Sequence, residues 1–374
     1  MDITPIIEQL NEIGIKVIDK NDTEILKTKN PWDIIVNDPT MYNDVINHGT
    51  LGLGESYMAQ KWNCDQLEVF FDKILWTKLD KKIKLTSYAD MLKIATAYLF
   101  NQQPKFKSYE VEDTHYNLDN NLYKNMLGET MAYSCAYWKN VHTLDEAQYA
   151  KFDLICRKLY LQPGDNVLDI GSGFGGLAKY MATKYGCNVT GINISKEQLK
   201  YAQQSCKELI EKKQVKFIDC DYRDIPLLDE GKKYDKIVSV GFAEHVSSKN
   251  YLTVMTKCNE LLKDGGLFLL HTIGGNQSVI KGDVWIDKYI FPTGVLPSIE
   301  QLGIGKCIEN IFVMEDLHNF GPYYSLTLKA WYDNYTRAIQ QNLINKDEKF
   351  NRMWTYYLLS CAAGFKQDLY SFGR

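Results

Sequence analysis

Residues 167–176 read VLDIGSGFGG: an apolar run that includes one acid, then a loop carrying Gly171, Gly173, Gly175 and Gly176. A short apolar run closed by glycines reads as a buried strand. Gly171 and Gly173 permit a tight turn and let a ligand approach the backbone. Behind the loop, GLAKYMATKY (176–185) has helical spacing. Working outward, the pattern repeats. Upstream, TLDE (143–146) is a capping box, with Thr143 as N-cap and Glu146 reaching back, and it starts a helix that ends near Leu161. Downstream come NVTGINI (188–194, strand), SKEQLKYAQQSCKELIEK (195–212, helix), VKFIDCDY and YDKIVSVG (215–222 and 234–241, strands). NYLTVMTKCNELLK (250–263, helix) and GGLFLLHTI (265–273, strand) follow. Strands alternating with helices of this length predict an α/β fold, a mostly parallel sheet with helices on both faces.

The spacing Gly171, Gly173, Gly176 fits the dinucleotide pattern G-x-G-x-x-G, a weak signal by itself. A dinucleotide site expects an acid about 20 residues on, at the end of the second strand. That position here reads Asn193-Ile194-Ser195 and has no acid. Asp169, two residues before the first glycine, instead matches the D-x-G-x-G-x-G loop of S-adenosylmethionine (SAM) methyltransferases. Its carboxylate can orient the loop or reach the cofactor's ammonium group through water. The fold expected is therefore a class I SAM-dependent methyltransferase, Rossmann-like, with a small helical domain in front of it.

That first domain is read at 1–100, from PIIEQLNEIGIKV, LGLGESYMAQKW (a glycine loop, then a helix) and TSYADMLKIATAYLF. The polar, proline-containing stretch 101–121 reads as a linker, and 122–374 as the catalytic domain. Within it, 274–310 carries Trp285, Tyr289, Phe291, Pro292 and Pro297 and reads as an insertion forming a lid. A net charge of −4 over 374 residues speaks against nucleic acid as the partner. No apolar stretch reaches the roughly 18 residues of a spanning helix, and MDITPIIEQL lacks the basic start of a secretory signal. Nine scattered cysteines without a CxxC pair imply a reducing, cytoplasmic setting, with no disulfide framework and no metal cluster. Aromatics make up 13% of the chain, part of which an apolar or cation-handling site would use.

Beyond the loop, the chain resembles the cyclopropane-fatty-acyl-phospholipid synthase family and is similar to the mycolic-acid cyclopropane and methyl-branching synthases. The likeness runs from LGLGESYM near residue 51 to WTYYLLSCAAGF near 365. It rests on HYNLDNNLYKNML, YSCAYWK, VLDIGSGFGGLA, DYRD, SVGFAEHV, LLHTIG, WIDKYIFPTGVLPS and MEDLHNFGPYYSLTLKAWYDNY. The resemblance implies transfer of a methylene group from SAM to the cis double bond of an unsaturated acyl chain. Its N-terminal domain resembles the one found on the phospholipid enzyme, which favours membrane phospholipid as substrate. It also implies a homodimer and a bound bicarbonate as base, held by a Cys, a Glu, a His, a Tyr and a backbone amide. These fall here on Cys135, Glu244, His271, Tyr324 (with Tyr323 as near competitor) and the amide of Ile273. Taken singly, Cys135 reads more readily as a small core residue, His271 as a core histidine and Tyr324 as a structural tyrosine, and Glu244 as readily as a helix start. Their joint match to one motif set is what selects them. His245 is read as structural, and His318 stays open.

For SAM the family pattern falls on Tyr133, Ser134, Asp169, Gly171, Ser172 and Gly173. It continues on Asn193, Ile194, Ser195 and Gln198, then on Tyr222 and Arg223. Gln198 or the strand-end backbone must take the place of the usual ribose-binding acid. Two departures stand out: Ser172 where the family often has Cys, and a tail after AAGF shorter than the family's. The helix-like run 86–107, with Lys93, Lys105 and Lys107, is a candidate face for peripheral contact with anionic lipid on the inner side of the membrane. Same-fold alternatives are a methyltransferase making methyl-branched lipids or one acting on another small molecule. From another class, a non-catalytic lipid-binding protein and a dehydrogenase are weaker readings, opposed by the intact motif set and the missing acid.

Overall fold

The computed structural model describes residues 4–78, 120–225, 233–279, 281–304 and 307–367. These divide into two compact units: one built from 4–78, 282–292 and 324–367, the other from 120–281 and 293–323.

The second unit carries the expected sheet. Its strands are β4 (Asn166–Ile170), β5 (Asn188–Asn193), β6 (Val215–Asp219), β7 (Tyr234–Val240) and β8 (Leu262–His271). Their order is β6-β5-β4-β7-β8, and every pairing is parallel. The chain runs outward from β4 to β6 and then crosses back to β7 on the other side. Such a reversal leaves a crevice beyond the carboxyl ends of the central strands.

Alternate residues of the strands feed two cores. Val167, Val189, Val215 and Val238 pack with the helices Leu144–Lys158 and Gly176–Tyr185 through Ile155, Cys156, Ala178 and Met181. Leu168, Ile170, Ile192 and Ile237 pack on the other side with Val254, Met255, Cys258 and Leu261 of the helix Tyr251–Leu261. Burial on both faces explains why these strands read as continuous apolar runs. Each fully buried branched side chain contributes roughly 1.5–3 kcal/mol. The Thr143–Glu146 capping box is formed, with both reciprocal bonds present. The stretch read as one helix over 195–212 is two, Lys196–Ser205 and Lys207–Glu211, broken at Cys206.

The first unit is not purely helical. Three short strands, β1 (Val17–Asp19), β2 (Ile34–Val36) and β3 (Trp62–Asn63), form a mixed sheet. The glycines of LGLGESYM lie inside the helix Met41–Met58 rather than in a loop before it. A Cβ on Gly52 would fall 1.9 Å from the Asp44 carbonyl oxygen, so only glycine allows that approach. The unit's core is aromatic: Trp62 meets Tyr57 and Phe70, and Tyr356 meets Tyr57, Phe71 and Trp285. Arg352 ties it together, donating from its Nη2 to the Trp62 carbonyl at 2.8 Å. The segment read as a lid over 274–310 is shared between the units, its helix Val284–Tyr289 packing in the first. The run 86–107 and the last residues of the tail lie outside the described residues.

Candidate active site

One pocket opens beyond the carboxyl ends of the sheet in the second unit. It is lined by Tyr133, Ser134, Asp169, Gly171 to Gly173, Asn193 to Ser195, Gln198, Tyr222 and Arg223, so the whole set proposed for SAM converges on it. Gly171 and Gly173 have φ of +77° and +54°, the left-handed region that favours glycine. A Cβ on Gly173 would meet nothing within 4 Å, so this turn faces open space. Both Gly171 and Ser172 donate their N–H groups to the Ile192 carbonyl at 3.0 Å, which ties the loop to the neighbouring strand.

Asp169 is 2% exposed, and its Oδ2 has no hydrogen-bond partner. Burial alone pushes its carboxyl up to about 7. An unpaired buried carboxylate is costly unless a ligand completes it. Asn193 replaces the missing acid locally. Its Oδ1 accepts from the N–H groups of Ile194 and Ser195, and its Nδ2 donates to Gln198 Oε1 at 2.8 Å. That leaves the Gln198 amide nitrogen to face a ligand as donor. Tyr222 is buried against Phe242 with its hydroxyl unpartnered. Arg223 is held by Asp221 through Nε (2.7 Å) and Nη2 (2.5 Å). Orphaned Asp169, the glycine turn, the Gln198 donor and a flat aromatic make a donor and acceptor set that fits SAM.

The second proposed set is only partly assembled within this unit. Glu244 lies on a short 3₁₀ turn just after β7, and His271 ends β8, where it pairs with Val240. That register brings Glu244 to Ile273, whose N–H donates to Glu244 Oε1 at 2.6 Å. The amide expected to serve a bound anion is therefore engaged with the carboxylate. Glu244 Oε2 and His271 Nδ1 are both buried without hydrogen-bond partners. Burial raises the Glu244 carboxyl to about 7, partly offset by the Ile273 N–H. Burial, with Lys151 adding to it, lowers His271 to about 3, so its ring is neutral. Cys135 is 4% exposed beside Ser134, and its Sγ lies 3.5 Å from the Ala136 carbonyl. Tyr324 belongs to the other unit, where its ring sits 4.4 Å from Phe365 and edge-on to Trp331.

Aromatic rings gather beside His271. It stacks on Phe320 at 5.3 Å, and Tyr137 meets Phe320, His318 and Tyr323 edge-on. His318 thus joins an aromatic cluster, and Tyr323 lies in this unit with it. Sequence reasoning missed several groups in the pocket. His245 lines it and is held neutral by burial, which lowers it to about 4. Phe242 and Asn250 also line it. So does Lys151, buried and bonded to Ser134. Lys151 sits amid Ala150, Phe152 and Asp153 in a helix with charged ends, so nothing in the string separates it from a solvated lysine.

Comparison with known proteins places the chain in a family. The family described as mycolic acid cyclopropane synthetase matches residues 103–372. The cyclopropane-fatty-acyl-phospholipid synthase of Escherichia coli is 47% identical over 336 residues, covering 90% of this chain and 85% of that protein. Among solved structures, a cyclopropane synthase of Mycobacterium tuberculosis is 27% identical with a TM-score of 0.63, covering 73% of this chain and 97% of that one. A mycolic acid cyclopropane synthase complexed with SAH and CTAB is 28% identical, also with a TM-score of 0.63, covering 72% of this chain and 96% of that one. Among the described residues, no helix is long and apolar enough to cross a membrane.

Proposed function

This chain belongs to the mycolic acid cyclopropane synthetase family and carries out SAM-dependent cyclopropanation of unsaturated lipid acyl chains, and from that premise we propose how its site works and on what. The acyl chains are those of membrane phospholipid, and bicarbonate is the base. The E. coli relative, named for a phospholipid substrate, covers the first unit as well as the second. SAM, when bound, supplies an electrophilic methyl group. Asp169, the Gly171–Gly173 turn, Asn193, Gln198 and Tyr222 hold it, with Tyr133 and Ser134 on the irregular segment 128–142, a strap whose residues Thr130 to Ser134 line the pocket.

An alkene has no acidic proton for a side chain to remove, so the protein's contribution to methyl transfer is positioning and exclusion of water. Ring closure then requires that a proton leave the added carbon next to a cationic acyl chain. Rings clustered around Phe320 supply π faces for such a cation. Glu244, with a carboxyl poised near 7, accepts the hydrogen of HCO₃⁻ at Oε2. Two full negative charges side by side would repel, so a shared proton at that point keeps the pair together. Neutral His271, Cys135 and the Ile273 amide line the cradle within this unit, the amide being shared with Glu244, and Tyr324 is the tyrosine that the family resemblance adds. The observation that carries this reading is the buried pair of unpartnered atoms, Glu244 Oε2 and His271 Nδ1.

A peripheral stay at the inner membrane face, through Lys93, Lys105 and Lys107, and a homodimer complete the proposal. Vesicle flotation of a Lys105→Glu/Lys107→Glu variant tests the first, and unchanged binding would sink it. The reaction itself is tested with SAM and vesicles of cis-unsaturated phospholipid. Cyclopropanation gives an acyl chain heavier by one methylene and without vinylic protons; retained vinylic protons would point to methyl branching instead.

A further inference from the structure

Lys151 takes no part in the scheme above, yet it is 1% exposed and lines the SAM pocket. It lies on the helix Leu144–Lys158, one turn after Gln148. Gln148 Nε2 donates to the Ala132 and Ser134 carbonyls, at 3.3 and 3.0 Å, and so fixes the strap. Lys151 Nζ donates to Ser134 Oγ at 2.7 Å. The titratable groups facing it are Cys135 on the strap and His271 on β8, and neither offers a carboxylate. Burial lowers its ammonium to about 7. Its Nζ also lies 5.3 Å from the centre of the Phe152 ring. Burying a lysine with one neutral hydroxyl and one ring face, and no anion, is costly, and an apolar side chain would serve packing better.

The pocket itself supplies a reason. Its other arginine or lysine among the described lining residues, Arg223, is held by Asp221 at the β6 side. Asn193, at the end of β5, and Tyr222, on the 3₁₀ turn Tyr222–Asp224 that follows β6, suit the nucleoside. Ser134 lies at the opposite side, past β7, where a Cβ on Gly241 would come 3.8 Å from it. That leaves the amino-acid end of SAM beside Ser134 and Lys151. We propose that Lys151, with the Ser134 hydroxyl it holds, binds the α-carboxylate of SAM and makes that carboxylate a required recognition element. The proposal rests on the reading that this pocket holds SAM.

The test is calorimetric binding of S-adenosylhomocysteine, and of its analogue lacking the α-carboxylate, to the whole protein. Wild type should prefer the carboxylate-bearing ligand by about tenfold to a hundredfold, as expected for a charge-assisted bond. Lys151→Met should bind both ligands alike, and the analogue as well as wild type does. Titration near pH 7 in two buffers of different ionisation enthalpy should show a proton balance on binding shifted toward uptake in wild type relative to the variant, because proton release at Asp169 is common to both. Lys151→Gln repeats the test, and thermal unfolding of each free variant checks folding. A variant that keeps the full carboxylate preference, or that weakens both ligands equally, overturns the proposal. Absence of S-adenosylhomocysteine binding by wild type would instead remove the pocket reading beneath it.

Discussion

At the amino end of the five-stranded sheet, Asp235 is fully engaged. It accepts from the Asn166 N–H at 2.9 Å and from Lys263 Nζ at 2.6 Å. Burial would raise its carboxyl, but those bonds hold it below the usual range. At the carboxyl end, a few residues along the same strands, Asp169 and Glu244 each keep a buried oxygen without a partner and are pushed up to about 7. One end spends its charges on stability, and the other leaves them unspent for ligands. Local strain of that kind persists where the surrounding fold is strong enough to hold it.

The largest effect should follow Glu244→Gln. An amide cannot accept the proton in the same way, and turnover should fall by about a hundredfold or more while S-adenosylhomocysteine affinity holds. Full turnover would count heavily against the role given to Glu244. Next, Asp169→Asn should weaken S-adenosylhomocysteine binding by about tenfold, read by calorimetry, since it removes a carboxylate from the ligand's ammonium.

Stability should move the other way. Carboxyls raised in the folded state contribute stability that is full below their unfolded values, near 4, and lost as pH rises through about 7. For Glu244 the difference corresponds to about 3 kcal/mol. At pH 8 the ligand-free Glu244→Gln protein should therefore melt roughly 5 °C higher than wild type, with the gain vanishing near pH 4. No gain at pH 8 would mean that the carboxylate is solvated after all. The smallest effect belongs to the amino end. Asp235→Asn should cost about 1 kcal/mol or less by denaturant unfolding and leave turnover unchanged. Its pH dependence has the opposite sign, because a depressed carboxyl contributes stability above its unfolded value and loses it as pH falls.

How much of this could be read in the chain differs between the two ends of the site as well. The glycine loop, the capping box and the strand runs are local signals, and each element forms where its residues called for it. Glu244 and Ile273 came from the family resemblance; taken alone, neither stands out in the chain, and the β7–β8 pairing brings them together with the amide on the carboxylate. Lys151 was not readable: its significance comes from Ser134 and Gln148, which meet it only after the strap folds back over the helix. Strands β1 to β3 escaped because two or three residues carry no period. Gly52 and Gly54 misled for a related reason. Read locally they favour a loop, but close approach of Asp44 and Trp285 keeps them in a helix.

The central claim is that the carboxyl-edge site performs ring closure with bicarbonate as the base beside Glu244. The most direct measurement is the initial rate with SAM and cis-unsaturated phospholipid vesicles in buffer stripped of carbon dioxide, then with bicarbonate restored. Wild type should slow by about tenfold or more in stripped buffer and recover on addition, while Glu244→Gln stays slow in both. Equal wild-type rates in the two buffers would contradict the account.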